Sequence, residues 1–376
     1  MAMLGDLCEV KRGSTITKKS ARPGDVPVVA GGIDPAYFHD TPNRPANVIT
    51  VSGSGANAGY VNFYDVPIWA SDSSTIIPKD DRLSVRFVHF FLLAVQQFIY
   101  KELARGAAQP HVYPRDLAKI LMPIPPVEEQ RRIVSVLDEA FEGLARARAH
   151  AEANREDAAL LMQRRLDQQI NTLAAEFGRV RIGEVAAVRG GKRLPKGLKT
   201  KSDPTPYPYI TVRDMTDDGT VSDERLGYIS EEVQAGIARY TVRSRDVYVS
   251  IAGTIGKSGI VPEHLDGANL TENAAKLVLR ETWSNEFIYW CTRSTDFADQ
   301  ARSQTRIAAQ PKLALERLAA ITVPKADATA QRRLSEAMLE FRDASARLRS
   351  SYAQKLAELE NLRRSLLQKA VAGELT

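Results

Sequence analysis

The chain is predicted to be an α+β protein: two mixed α/β domains separated by two long helices that form an antiparallel, intramolecular coiled coil with pseudo-twofold symmetry. Three observations predict this. The sequence is internally duplicated, two long proline-free segments carry a 4,3 apolar rhythm, and short β-branched runs punctuated by turn residues fill the rest. At 376 residues the chain also exceeds ordinary single-domain size and can bury more than one core.

The duplication is read first. Leu4 to Gly13 (LGDLCEVKRG) is echoed by Ile182 to Gly191 (IGEVAAVRGG), and AAQPHVYPRDLAKILMPIP from Ala107 by AAQPKLALERLAAITVPKA from Ala308. Between them, SGSGANAGYV ending at Val61 is matched with IAGTIGKSGIV ending at Val261. The offset grows along the chain, which predicts an insertion in the second copy around Leu194 to Pro208. Residues 1–127 and 179–328 read as the globular domains, and 128–178 and 329–376 as the helices.

Inside the globular parts, Ala46 to Ser52, Pro67 to Pro78, Pro208 to Val212 and Arg245 to Ala252 are bounded by Gly, Pro, Asn and Asp, the pattern of strands and turns. Helices are predicted over Val85 to Leu103 and Glu286 to Ser303. From Glu128 to Glu176 the apolar positions are Ile133, Leu137, Ala140, Leu144, Ala147, Ala151, Ala158 and Leu161, interrupted by Asn154. From Ala330 to Val371 they are Leu334, Met338, Phe341, Leu348, Tyr352, Leu359, Leu362 and Leu366, with Ser345 and Lys355 as polar interruptions. The first seam is alanine-rich and the second bulky, so each complements the other better than itself. A helix of about 45 residues spans ~70 Å, so the second helix is expected to return along the first; the alternative is that both pair with other molecules or lie on a core.

Several chemistries find no support. Cys8 and Cys291 are the only cysteines and form no CxxC, against a disulfide framework or structural zinc and in favour of a reducing cytoplasm. No run of 18 apolar residues occurs and the N-terminal stretch lacks an apolar core, so a soluble protein is expected. Gly253 to Ser258 resembles the end of a P-loop, but Ile251 stands where that motif needs its first glycine; a glycine turn between strands is the simpler reading. The five histidines show no ligand spacing, and no adenine-gripping Asn/Asp-Pro-Pro-aromatic tetrapeptide or GxGxxG appears. A methyltransferase or nuclease is therefore unsupported.

The net charge of +5 and pI of about 9.1 admit a polyanionic partner. Both globular segments are net positive, and basic residues cluster at the same place twice: Lys11, Arg12, Lys18 and Lys19 after the opening motif, and Arg189, Lys192, Arg193, Lys196, Lys199 and Lys201 after its repeat. A duplicated basic loop suits phosphate contacts, with the solvated loop as the plain alternative. Arg105 and Arg306, before the repeated AAQP, lack a fixed local partner in sequence and join the DNA candidates; Gln109 and Gln310 either hydrogen-bond a base or cap a turn, the second being the preferred reading. Arg44, Arg213, Lys257 and Lys312 complete the candidate set.

Taken together, AAQPHVYPRDLAKILMPIPPVEEQRRIV, the two openings, GTIGKSG and the C-terminal LRRSLLQKAVAGEL resemble the specificity subunit of type I restriction-modification systems over the whole chain. The second copy departs by having one proline, Pro324, and Ala330 in place of glutamate. The resemblance implies two target-recognition domains that each bind half of a split DNA site, with the paired helices as a ruler. It implies two copies of a modification subunit that carries S-adenosylmethionine and methylates adenine, and a restriction subunit that uses ATP and Mg²⁺. It also implies partner contacts at Glu129, Gln130, Arg131 and Ile133, and at Gln331, Arg332 and Leu334, with no catalytic site in this chain. Domain centres some ~35 to 50 Å apart would separate the half-sites by about 10 to 15 base pairs. The competing class is a coiled-coil scaffold whose globular ends bind proteins. The bases of the target are not legible, because they depend on which loops enter the groove and on DNA deformation.

Overall fold

The computed structural model describes residues 1–106, 108–305 and 311–375. It consists of two compact units, Met1–Glu152 with Ala353–Thr376, and Ala153–Tyr352. The long helices Val127–Phe177 (the central helix) and Ala328–Ala372 (the C-terminal helix) each contribute to both.

In the first unit, strands β1 (Ala2–Met3), β2 (Cys8–Arg12), β3 (Val26–Val29), β4 (Tyr37–His39), β5 (Val48–Ser52), β6 (Val61–Tyr64), β7 (Trp69–Ala70), β8 (Ser73–Pro78) and β9 (Leu121–Met122) follow in order. They assemble as a four-stranded sheet β2-β8-β5-β6, a three-stranded sheet β4-β3-β7 and a ribbon β1-β9. All five residues of β5 (VITVS) are buried, which explains its continuous rather than alternating character: it is an inner strand covered on both faces. Helix Val85–Ala94 packs Phe87, Val88, Phe91 and Leu92 against Ile49, Val51 and Ile76 of the larger sheet. The helix predicted to reach Leu103 breaks at Val95 (ψ 9°) and resumes as a wider-turned segment, Ile99–Leu103.

The second unit repeats this strand for strand. Its strands β10 (Arg179–Arg181), β11 (Ala186–Gly190), β12 (Pro208–Ile210), β13 (Gly227–Tyr228), β14 (Val247–Ser250), β15 (Ser258–Ile260), β16 (Asn269–Leu270), β17 (Ala274–Leu279) and β18 (Thr322–Pro324) form sheets β11-β17-β14-β15 and β13-β12-β16 and the ribbon β10-β18. The helix predicted over Glu286 to Ser303 is two helices, Asn285–Thr292 and Thr295–Gln304. Ser294 caps the second by accepting from Phe297 N–H, a local bond that competes with continuing the turn.

Two details of the repeat alignment are corrected. The extra residues of the second copy do not lie mainly at Leu194 to Pro208. Most fall between β12 and β14, where residues 211–246 replace 30–47 and include the helix Glu231–Ile237. Gly59 corresponds to Gly256, since each N–H donates to the same β-strand serine carbonyl, Ser52 O at 2.8 Å and Ser250 O at 2.9 Å. Both have φ near +90°, so glycine is required by the backbone of the hairpin.

The repeated glycine of the opening motif has a steric cause. A Cβ on Gly13 would lie 2.2 Å from Ser71 O, and one on Gly191 would lie 2.1 Å from Thr271 O. In each unit the chain leaves the larger sheet by crossing directly over the backbone that leads into β8 or β17.

Within each unit the helix segments run antiparallel. In the first, Arg132 donates to Leu375 O, Phe141 lies under Arg363, and Arg148 faces Glu360; partner numbers fall as residue numbers rise. In the second, Ser345 Oγ donates to Ala158 O at 2.8 Å, while Leu166 and Ile170 share a core with Leu334 and Met338. The predicted seam drifts, however: Leu161, Leu348 and Leu362 are 49%, 43% and 49% exposed. A 3.6-residue turn slips against a seven-residue repeat, so after Ala158 the inward positions are Met162, Leu166 and Ile170, and in the C-terminal helix Leu367 and Ala370 replace Leu362.

Candidate nucleic-acid interface

In the first unit Lys11 and Arg12 end β2, and Lys18 and Lys19 follow in the exposed segment before β3. Lys11 pairs with Glu9, and Arg12 lies 3.8 Å from Asp72. The Arg44 guanidinium is held in place by three hydrogen bonds. Its Nε donates to Thr75 Oγ1, its Nη1 to Asn43 O and its Nη2 to Arg12 O, all at 2.8 Å, which ties the connection before β5 to β2 and β8. Among the candidates it therefore also serves as a structural clamp. Arg105, which has no fixed local partner in sequence, lies 3.6 Å from the buried Asp116. Arg306, like Gln310, lies outside the described residues.

In the second unit Arg189, Lys192, Lys196, Lys199, Lys201, Arg213 and Lys312 are exposed, with no carboxylate within 4.0 Å among the described residues. Arg193 pairs with Glu272 at 2.6 Å. Lys257 is engaged within the unit as well: its side chain is largely covered and its amino group bonds the exposed Asp217 at 2.9 Å, a bond that holds the Asp217 carboxyl below its ordinary range. Its glycine-rich segment joins the antiparallel strands β14 and β15 rather than opening a helix, as a hairpin turn does.

Three residues that sequence reasoning missed join this set. Arg189 on β11, Lys276 opposite it on β17, and Arg239 and Tyr240 line one groove. Lys192 Nζ lies 5.7 Å and Arg239 Cζ 5.3 Å from the centre of the Tyr240 ring. Lys276 itself donates to Thr241 O at 2.7 Å and faces Asp246 at 3.4 Å. The groove thus presents Arg189, Lys192 and Arg239, with no carboxylate within 4.0 Å among the described residues, around an aromatic face, a combination suited to phosphate contact and base stacking. The basic-aromatic dipeptide Arg239-Tyr240 was a local signal. Lys276 had none, since the first repeat has Thr75 at that place and puts its cation, Arg44, on the connection instead.

A second polar concavity in this unit gathers Thr211, Arg213, Thr254, Thr271, Asn273 and Pro311, where the hairpin turn meets the segment preceding Leu313. The same junction recurs in the first unit, where Gly55 N–H donates to Pro110 O and Val112 N–H to Gly53 O, both at 3.0 Å. Lys312 is joined to Ala252 there, as His111 is to Ser54.

Of the expected partner contacts, Gln130, Ile133, Gln331 and Leu334 are buried and are corrected to core positions. Gln130 accepts from Ser84 N–H and donates to Arg82 O and Pro125 O; Gln331 accepts from Ser284 N–H and donates to Thr282 O and Ala326 O. Glu129, Arg131 and Arg332 remain accessible, with Glu129 bonded to Arg132 and Arg131 to Glu128. Among the described residues no group of three His, Cys, Asp or Glu side chains is placed to hold a metal ion, and no helix is long and apolar enough to cross a membrane.

A pair of small β-sheets is repeated along the chain, each copy leading into a long helix and bearing basic residues at its sheet ends, which is the architecture of a duplicated two-domain protein with paired long helices. The family described as type I restriction modification DNA specificity domain matches residues 1–149 and 175–358, and the chain belongs to that family. It is a DNA sequence-specificity subunit. It is 22% identical over 357 residues to the type I restriction enzyme EcoBI specificity subunit of Escherichia coli, covering 83% of this chain and 72% of that protein. It is 25% identical over 206 residues to a putative type I restriction enzyme specificity subunit of Haemophilus influenzae, covering 54% of this chain and 50% of that protein. In fold it is similar to a chain from a structure of a type I R-M system described for its complex assembly and conformational transition (TM-score 0.75, 20% identity, 100% and 97% of the chains). It is likewise similar to the HsdS subunit of Thermoanaerobacter tengcongensis (TM-score 0.59, 19% identity, 100% and 96%).

Proposed function

We propose that each globular part reads one half of a split DNA target and that the chain directs adenine methylation or cleavage carried out by other subunits. In this reading residues 1–127 and 179–328 are the target-recognition domains, and 128–178 and 329–376 the spacer helices. The observation that carries it is the strand-for-strand repetition of a basic two-sheet unit: one chain with two similar readers calls for two half-sites. Lys18, Lys19, Arg189, Lys192, Arg239 and Tyr240 contact the phosphate backbone, which supplies affinity and register, while Arg213, Asn273 and neighbouring hydroxyls face base edges.

The partners are two copies of a modification subunit, which carries S-adenosylmethionine, and a restriction subunit that uses ATP and Mg²⁺; the chain itself is non-catalytic and works in the cytoplasm. The test is methylome sequencing of cells that express the chain with its modification partner. Two short motifs separated by an unread spacer are expected, and exchange of residues 1–127 for those of a relative should change one motif alone. A single contiguous motif would refute the reading.

A further inference from the structure

The two repeats differ at one notch beside the helix that follows the larger sheet. Ser84 and Ser284 both donate to the buried glutamine at the start of a long helix, and Phe63 and Ile260 both pair with the first half of an inner strand. These shared bonds make Arg86, Phe90 and Asp138 the counterparts of Glu286, Trp290 and Leu339. In the first unit the Arg86 guanidinium lies 4.9 Å over the rings of both Phe63 and Phe90 and pairs with Asp138, so the notch is filled from within.

In the second unit Glu286 turns away to Arg245, Leu339 stands 46% exposed, and an open notch of about 580 Å³ remains. Ile260, Trp283, Trp290 and Leu339 supply its apolar wall. Glu281 and Glu336 lie on its rim with no cation within 4.0 Å among the described residues. Of the two arginines that also line it, Arg342 is paired with Asp343, and Arg332 is open to solvent.

We propose that this notch receives an arginine side chain of a protein partner, supplied from outside where the first unit supplies its own Arg86. A planar guanidinium stacks on tryptophan more favourably than on phenylalanine and can bond a rim carboxylate such as Glu336 at the same time. The assignment of that partner as the modification subunit rests on the function proposed above. Its two copies would then meet unlike surfaces, one already plugged and one open.

The deciding variant recreates the plug: Glu286→Arg with Leu339→Asp in the full chain. Its thermal midpoint should not fall, duplex DNA affinity should be unchanged, and one of two modification subunits should bind at least about tenfold more weakly. Leu339→Arg, a change at a half-exposed position, should weaken assembly in the same way. Wild-type assembly by both variants overturns the proposal and leaves the functional reading intact. The notch is also read directly, because Trp283 and Trp290 are two of the chain's three tryptophans. N-acetylarginine amide should alter wild-type tryptophan emission where N-acetylnorleucine amide does not, and the plugged variant should not respond. Failure of the modification subunit to assemble with the wild type would count against the functional reading, whereas equal responses to the two amides would overturn the notch.

Discussion

Gln130 accepts the Ser84 N–H at 2.8 Å and donates to the carbonyls of Arg82 and Pro125 at 2.9 Å each, so one buried amide fastens the first turn of the central helix to the loop before helix Val85–Ala94. Gln331 repeats the arrangement with Ser284, Thr282 and Ala326. Truncation strands buried backbone groups as well as leaving a void. Gln130→Ala and Gln331→Ala should each destabilise by about 2 to 4 kcal/mol, measured by urea unfolding. Losses below about 1 kcal/mol would show that the amides are not fasteners.

Gly13 and Gly191 face a harder constraint, because the atoms a Cβ would meet are backbone carbonyls. Gly13→Ala or Gly191→Ala should cost more than about 3 kcal/mol, since the strand crossing must open to accept the methyl group. Circular dichroism melting of each variant checks this, with Gly236→Ala, where an added Cβ meets nothing, as the tolerant control.

The groove around Tyr240 makes a prediction about salt. Arg189→Ala, Lys192→Ala and Arg239→Ala should each weaken duplex binding and lower the slope of log affinity against log salt by about 1, as expected for one lost phosphate contact. Lys257→Ala and Arg44→Ala should leave that slope unchanged while lowering stability, because their head groups are engaged by bonds within the protein, Lys257 to Asp217 and Arg44 to Thr75 and two carbonyls. Anisotropy titrations across a salt series distinguish the two groups.

His89 makes the first unit sensitive to acid. Burial against Phe63 and Phe90, aided by the facing Arg86 and Arg363, pushes its imidazole down from 6.5 to about 3. The folded chain therefore keeps His89 neutral while the unfolded chain takes up a proton below about pH 6.5, so its stabilising contribution is complete above that pH and declines toward pH 3. Up to about 2 kcal/mol should be lost between pH 7 and pH 5. His89→Phe should flatten this part of the unfolding profile; an unchanged slope would assign the acid sensitivity elsewhere.

Much of the architecture was legible because duplication and periodicity are local signals. The repeated LGDL/IGEV openings and AAQP segments mark equivalent places, and the proline-free stretches after Pro126 and Pro324 became continuous helices. Breaks inside predicted helices were less legible, since Ser294 could equally have sat in a helix interior until its side chain was seen capping Phe297. The insertion was misplaced because unlike loops carry no matching residues to align, and only the shared strand pairing locates them.

The sequence by itself determined that there are two copies, which two segments form the long helices, and where positive charge is concentrated. Only the tertiary structure decided how each cation is used: Arg44, Arg105 and Lys257 meet partners distant in sequence, while Arg239, Tyr240 and Lys276 converge on Arg189 from separate elements. It also turned Gln130 and Gln331 inward. The physical reason is that periodicity and propensity act over a few residues, whereas whether a side chain is neutralised, buried or presented depends on which distant backbone the fold lays beside it.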